Sequence, residues 1–384
     1  MVEFGFFAQA HIPSRQQAED PGFEHRRLME NLAFAVECDR NGIKYVWCPE
    51  HHFLEEYSHM PAPEVFLSFV AAQTEQIHVG TAITNTTPPV NHPARIAERV
   101  AVLDHLSEGR FEFGTGRGSS SAEILGFDIP DKSLTTAMWD ETIHEFLRMW
   151  KQDAYSFDGE FFRMPERNVL PKLYSDPHPP IWVACGSPPT FEKAGRLGLG
   201  AFCFTTGTPQ QLEPLVKAYK DAVADPAEPV GDYVNDNILA VAAFLCLEDR
   251  EEAFRIHSES GGSYYVSLLY RWLDNIVMPA GVPAWPDLMP EPSPEEVAVM
   301  SQVGLAMVGD PDDCARVIQM YEDIGVDQII LSPLTTTLPY DTAVKSLELF
   351  GREVVPKFDT DPVHRTTRMR EKAQAARRPA GGRG

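Results

Sequence analysis

Three short stretches of this sequence carry side chains able to do chemistry. The first is Pro49-Glu50-His51-His52-Phe53, at the end of an apolar run, Tyr45–Pro49, with the residue types of a strand. A histidine there can take or give a proton near neutral pH. Neighbouring strand residues point to opposite sides, so at most one of the two histidines faces a common site. The same geometry weakens a zinc reading, and no HExxH pattern or nearby carboxylate cluster completes such a site. Two purely structural histidines are the alternative.

The second stretch runs from Gly109 to Ser121, GRFEFGTGRGSSS. It reads as a strand followed by a glycine- and serine-rich loop holding one arginine, Arg117. Glycines let a phosphate approach the backbone, Gly118 and Ser119 offer amides and a hydroxyl, and a guanidinium grips two phosphate oxygens. The alternative is that Arg117 pairs with an acidic neighbour such as Glu123. The third stretch, Ala184-Cys185-Gly186-Ser187-Pro188-Pro189-Thr190, follows another strand and opens a helix. Ser187 stands where an N-cap belongs, and helix N-termini attract phosphate. A plain capping serine would look the same.

Elements that could hold these stretches alternate along the chain. Eight short runs rich in β-formers read as strands: Glu3–Ala8, Tyr45–Pro49, Ile77–Thr84, Arg110–Gly114, Ile181–Ala184, Gly200–Thr205, Ile238–Leu247 and Gln328–Ser332. Several are apolar almost throughout, as strands buried on both faces should be. Between them lie the amphipathic stretches Glu24–Asn41, Pro93–Leu106, Thr135–Trp150, Pro189–Leu197, Pro209–Ala224 and Pro311–Ile324. Prolines near their starts and glycines past their ends follow the usual capping asymmetry. Eight β-α repeats predict an α/β fold closed into a TIM (β/α)8 barrel with insertions. An open doubly wound sheet is the alternative, but no Gly-x-Gly-x-x-Gly follows the first strand. The barrel is expected to span residues 1–358, with insertions at 156–180 and 258–294. The second insertion, rich in glycine, aromatic residues and proline, reads as a lid. Residues 359–384, with Arg365, Arg368, Arg370, Lys372, Arg377, Arg378 and Arg383 against only Asp361 and Glu371, are expected to be a disordered basic tail.

Composition narrows the rest. A formal charge of -23 argues against nucleic acid as a partner. No apolar run reaches the length of about 18 residues that a membrane span needs. The N-terminus lacks a basic n-region and a cleavage pattern, so the cytoplasm is the expected compartment. None of the six cysteines forms a CxxC pair, and they read as buried, reduced thiols.

Taken together, EHHF, the block HVGTAITNTTPPVNHPARIAERVAVLDHLSEGRFEFGTGRG, the segment PPIWVACGSPPTFEKAGRLGLGAF and VGDPDDCARVIQMYEDIGVDQIIL resemble the bacterial-luciferase-like flavin-dependent monooxygenases. The match runs from about residue 1 to 355 and names the flavin, which spacing alone does not. The resemblance implies a luciferase-like TIM barrel and reduced FMN (FMNH2) delivered by a separate flavin reductase. It also implies O2 as co-substrate, reacting through a flavin C4a-hydroperoxide. His51 matches the catalytic histidine, Arg117 the phosphate-binding arginine, and Ser187 and Thr190 the phosphate-binding hydroxyls, with Gly118, Ser119 and Gly186 in the same turns. The isoalloxazine is expected near Thr84 and Asn85. The sequence departs from the family in one place. Many members carry a second arginine where Thr136 or Ala137 stands here, and Lys132 is the nearest cation.

The resulting expectation is a two-component FMN monooxygenase that oxygenates a small, apolar organic substrate, with no metal, as a homo-oligomer, specifically a dimer. An F420-dependent hydride-transfer oxidoreductase is the nearest rival, although F420's acidic tail favours a basic groove that this acidic chain does not advertise. A non-catalytic flavin-binding protein is the other.

Overall fold

In the computed structural model, which describes residues 1–204 and 207–377, each of the eight apolar runs forms a strand. The barrel strands, in chain order, are Glu3–Phe7, Tyr45–Cys48, His78–Thr81, Phe111–Gly116, Ile181–Cys185, Gly200–Cys203, Ile238–Ala242 and Gln328–Leu331. Each pairs in parallel with the next, and the eighth returns to the first through Glu3↔Gln328. That last pairing closes the sheet and excludes the open doubly wound alternative. Thr205, placed in the sixth strand by the sequence, lies outside the described residues.

Two of the runs divide, and the fourth extends through Gly116 into the glycine-rich stretch. The run Ile238–Leu247 divides: Ile238–Ala242 stays in the barrel, while Phe244–Cys246 pairs with Met307–Gly309 outside it. Both pieces are buried almost throughout, so apolar character could not mark the break. The third run also divides, with Thr84–Asn85 resuming beside Thr115–Gly116 after Ala82 and Ile83. Helices fall where the capping signals put them, for instance Pro93–Leu106, Pro209–Val223 and Pro311–Asp323. The last two carry capping boxes built on Thr208 and Asp310, which satisfy amides that a helix start leaves without partners. The insertion at 156–180 opens on a hairpin, Tyr155–Asp158 against Arg163–Arg167. All six cysteines are buried, and no disulfide joins them among the described residues. Among the described residues, no helix is long and apolar enough to cross a membrane.

Aromatic rings from the second, fifth and sixth strands fill the barrel interior. Trp47 meets Trp182 edge-on at 5.2 Å and Phe202 at 4.7 Å between centroids. Glycines make the room: a Cβ at Gly80 would sit 2.3 Å from the Trp47 ring, and one at Gly200 would sit 2.4 Å from Trp182. This aromatic layer forms the floor on which the site is built.

Below it the barrel has a polar base, and here the expectation for residues 359–384 needs correction. Arg365–Arg377 is a helix packed across the N-terminal end of the barrel; residues 378–384 lie outside the described residues. Thr366 donates to Glu112 Oε1 at 2.6 Å, and Trp182 Nε1 donates to Glu112 Oε2 at 2.7 Å. His364 stacks on His78, centroids 3.8 Å apart, while Arg365 pairs with Asp327 and Arg370 donates to the Gly109 carbonyl. Arg365 and Arg370 looked unpaired because their partners lie far away in the sequence, whereas Arg368 pairs locally with Asp361.

The base makes stability depend on pH. Burial pushes the Glu112 carboxyl up to about 8, against the hydrogen bonds from Thr366 and Trp182. The folded state therefore holds this proton more tightly than the unfolded chain. The contribution is full below the ordinary value of 4.5 and is lost as pH rises through about 8. Burial and nearby cations hold His78 well below 6.5, so its opposing contribution changes on the acid side of that value. Between about pH 6.5 and 8 the urea midpoint of the wild type should fall more steeply than that of Glu112→Gln. Equal slopes would show a carboxylate already ionised across the window.

Candidate active site

The carboxyl ends of the barrel strands open on a cavity of about 630 Å³. Phe7, Trp47, Phe202, Leu239, Val241 and Ile330 make its apolar floor. His51 lines it and His52 does not. His52 turns to Glu50, Nε2 to Oε1 2.9 Å, and Glu50 also accepts from the Asn85 amide at 2.9 Å and Asn91 Nδ2 at 2.7 Å. The histidine segment is thereby tied to the loop after the third strand. His51 Nδ1 lies 3.1 Å from Glu123 Oε1, which also accepts the His52 N–H at 2.9 Å. Burial opposes charge on Glu123. The charge and hydrogen bond of His51 and the His52 amide outweigh it, so the carboxyl sits below its usual range. Tyr57 covers the His51 ring edge-on, centroids 5.2 Å apart.

The fourth strand delivers Gly116, Arg117, Gly118 and Ser119 to the cavity wall, and the fifth delivers Cys185, Gly186, Ser187 and Thr190. Arg117 Nη1 donates to Thr135 Oγ1 at 3.1 Å. The guanidinium has no ion-pair partner among the described residues, which leaves most of its donors available. Glu123, its alternative partner, is taken by His51. Thr190 Oγ1 accepts the amides of Gly186 and Ser187, at 3.2 and 3.1 Å, at the start of the helix Pro188–Arg196. Lys132 also lines the cavity, 2.5 Å from Asp274, and Lys193 lines it paired with Asp140. Two of the three cations are thus already neutralised, and Arg117 is not.

A model of the luciferase-like monooxygenases matches residues 2–328 of this sequence. The chain belongs to the luciferase-like monooxygenase family. It is similar to the oxygenase component of the flavin-dependent trigonelline monooxygenase of Acinetobacter baylyi, 24% identical, covering 95% of this chain and 98% of that one. It is also similar to the F420-dependent glucose-6-phosphate dehydrogenase of Amycolatopsis mediterranei, 26% identical over 88% of this chain and 95% of that one. Among solved structures, the oxygenating constituent of 3,6-diketocamphane monooxygenase from Pseudomonas putida, in complex with FMN, superposes with a TM-score of 0.72. It is 20% identical and covers 93% of this chain and 98% of that one, a likeness of fold.

Within this luciferase-like barrel, His51, Arg117, Gly118, Ser119, Gly186, Ser187 and Thr190 share the one cavity. Thr84 and Asn85 do not line it. They are buried against the fourth strand, and Asn85 uses its side-chain oxygen on the Thr87 amide and hydroxyl. Ala82 and Ile83, joined by a cis peptide bond, face the cavity at that point. Sequence reasoning missed Lys193 and the pairing of Glu123 with His51. The signal for Lys193 was available, since it stands one helical turn beyond Thr190 on the same face. No sequence spacing linked Glu123 to His51, because their elements meet only when the barrel closes.

The segment 258–294 contributes a wall rather than a free loop. Helix Gly262–Trp272 packs Tyr265, Leu268 and Leu269 against Leu54 and Tyr57. Beyond it, Asp274 accepts from Lys132 and Ser121, and its amide donates to the Ser119 carbonyl at 3.1 Å. Leu273, Asp274, Asn275 and Val277 reach the cavity.

Proposed function

We propose that this protein is the oxygenase of a two-component flavin monooxygenase, taking reduced FMN from a separate reductase and using O2 to oxygenate a small, apolar organic molecule. The observation that carries this reading is a single cavity joining an aromatic floor, His51 and an unpaired arginine. The donor set fits a flavin phosphate. Arg117 has free guanidinium donors, Ser119 and Ser187 bring hydroxyls, and Thr190, which holds the Gly186 and Ser187 amides, shapes the start of the helix beside them. Bound reduced FMN supplies the electrons that activate dioxygen. The residues do the rest: Arg117, Ser187 and Thr190 hold the phosphate, and the rings of Trp47 and Phe202 keep water from the reacting end. His51 holds or moves a proton there. Lys132 and Lys193 are spent on Asp274 and Asp140, so the site suits one phosphate monoester better than the polyanionic tail of F420. A dimer is part of the proposal. Val65 and Phe69, with Val102 and Leu106 on the neighbouring helix, form an exposed apolar row of the kind that self-association covers.

Anaerobic titration with FMN, FAD, riboflavin and F420 in both redox states, followed by mixing with O2, tests the reading. The expected result is tightest binding of reduced FMN, and oxygen consumption exceeding peroxide release once a substrate is present. Tighter binding of F420 without oxygen consumption would instead establish hydride transfer. Stable binding of oxidised FMN with no turnover would establish a flavin-binding protein without catalysis.

The wall at 258–294 should act as a lid, because Asp274 ties it to the loop that holds Arg117. Limited proteolysis should cut first after Asp274, where Val277 is 86% exposed, and reduced FMN with substrate should slow the cut. Equal rates with and without ligands would make the segment a fixed wall.

A further inference from the structure

The contacts of Glu123 exceed what a loop support needs. Its side chain comes from the helix Ser121–Gly126, directly after the Arg117 loop, yet it reaches the histidine segment of the second strand. Oε1 serves both the His52 amide and His51 Nδ1, at 2.9 and 3.1 Å, while Oε2 is buried with no hydrogen-bond partner among the described residues. A neutral glutamine would serve the amide as well, without placing a carboxylate under the barrel mouth. An ionised carboxylate only accepts, so the proton in the Glu123–His51 bond belongs to Nδ1. That assignment fixes the tautomer. Nε2 is then the nitrogen left to exchange protons, and it has no protein partner among the described residues while the ring lines the cavity.

We propose that Glu123 is a positioning residue for His51: it holds the ring with Nδ1 protonated, leaves Nε2 to the cavity, and stabilises the imidazolium when Nε2 takes a proton. The proton gained at Nε2 is the one His51 later returns, and Glu123 keeps its charge throughout. A carboxylate behind an imidazole commonly fixes both tautomer and ring orientation. The inference rests on the reading of His51 as the proton-handling group.

Glu123→Gln tests it, since the amide oxygen can still accept the His52 N–H but carries no charge. The first readout uses flavin-free protein: the NMR titration of the His51 ring, assigned against His51→Ala. Loss of an opposite charge this close should move the protonation midpoint to lower pH by about one unit or more. Glu123→Asp, which keeps the charge on a shorter stem, should move it less, and it serves as the readout should Glu123→Gln not fold. The second readout is turnover, where the limb of the pH profile for product formation should move the same way with KM for substrate little changed. An unmoved midpoint in the flavin-free protein would overturn the proposal. A moved midpoint with an unmoved turnover profile would uphold the pair and overturn the proton role of His51.

Discussion

Replacing His51 with alanine should leave flavin binding intact and lower product formation by about 10²- to 10⁴-fold, the usual contribution of a general acid-base group. Oxygen should still be consumed, but it should leave as hydrogen peroxide. The reason lies in the cavity's composition. Its floor is apolar, and among the described residues His51 is the one histidine on its lining, so no second imidazole stands ready to substitute. The truncation has a structural cost as well. It strips the buried Glu123 carboxylate of one of its two donors, which costs about 1–3 kcal/mol of stability. His51→Asn separates the two effects, because its amide can still donate to Glu123 while offering no titrating nitrogen. It should fold like the wild type and fail like the alanine variant. His52→Ala should be milder, since His52 lies outside the cavity and touches Glu50. Product per O2 consumed, measured beside peroxide, decides the matter: wild-type coupling in His51→Ala would remove this histidine from the mechanism.

Arg117→Ala should weaken reduced FMN by roughly 2–3 kcal/mol, the scale of hydrogen bonds to charged groups. That is about 30- to 150-fold in Kd. Riboflavin affinity should stay nearly unchanged, because riboflavin has no phosphate to lose. The structure sharpens the expectation for the other cations. Lys132 and Lys193 already face Asp274 and Asp140, so an arriving phosphate must compete with those carboxylates. Among the described residues Arg117 faces only the Thr135 hydroxyl. Lys132→Ala should therefore show the same preference for FMN over riboflavin in a weaker form, and it should also loosen Asp274 from the Ser119 loop. Titration of both flavins against both variants checks this. An equal loss for FMN and riboflavin in Arg117→Ala would show that the residue supports the loop and does not read the phosphate.

What could be read in advance followed from how local each signal is. Strand runs buried on both faces, proline-opened helices and the Gly-Arg-Gly turn are written in contiguous residues, and the barrel and the loop that carries Arg117 to the cavity follow from them. Arg117, Ser187 and Thr190 share a cavity because both turns leave the same end of adjacent strands. The misses are long-range. Thr84 and Asn85 are buried beside the fourth strand while Ala82 and Ile83 line the cavity in their place, and no periodicity registers which of the four does so. The break after Ala242 is hidden because both halves of the run are equally buried. The basic tail was misread for the same reason as Glu123. Each finds its partner across hundreds of residues of sequence or across the barrel mouth, where composition has no reach.

The helix under the barrel sets an order of manufacture. Glu112 is in the fourth strand, but the hydroxyl that satisfies it, Thr366, comes 254 residues later. A ribosome therefore releases every strand before the group that seals the base exists. Until then Glu112 and His78 stand at an open end. A chain cut after the eighth strand would carry every barrel strand and still lack the hydroxyl of its bottom closure. For the same reason an insertion within 365–377 should loosen the base of the barrel while leaving the cavity lining in place.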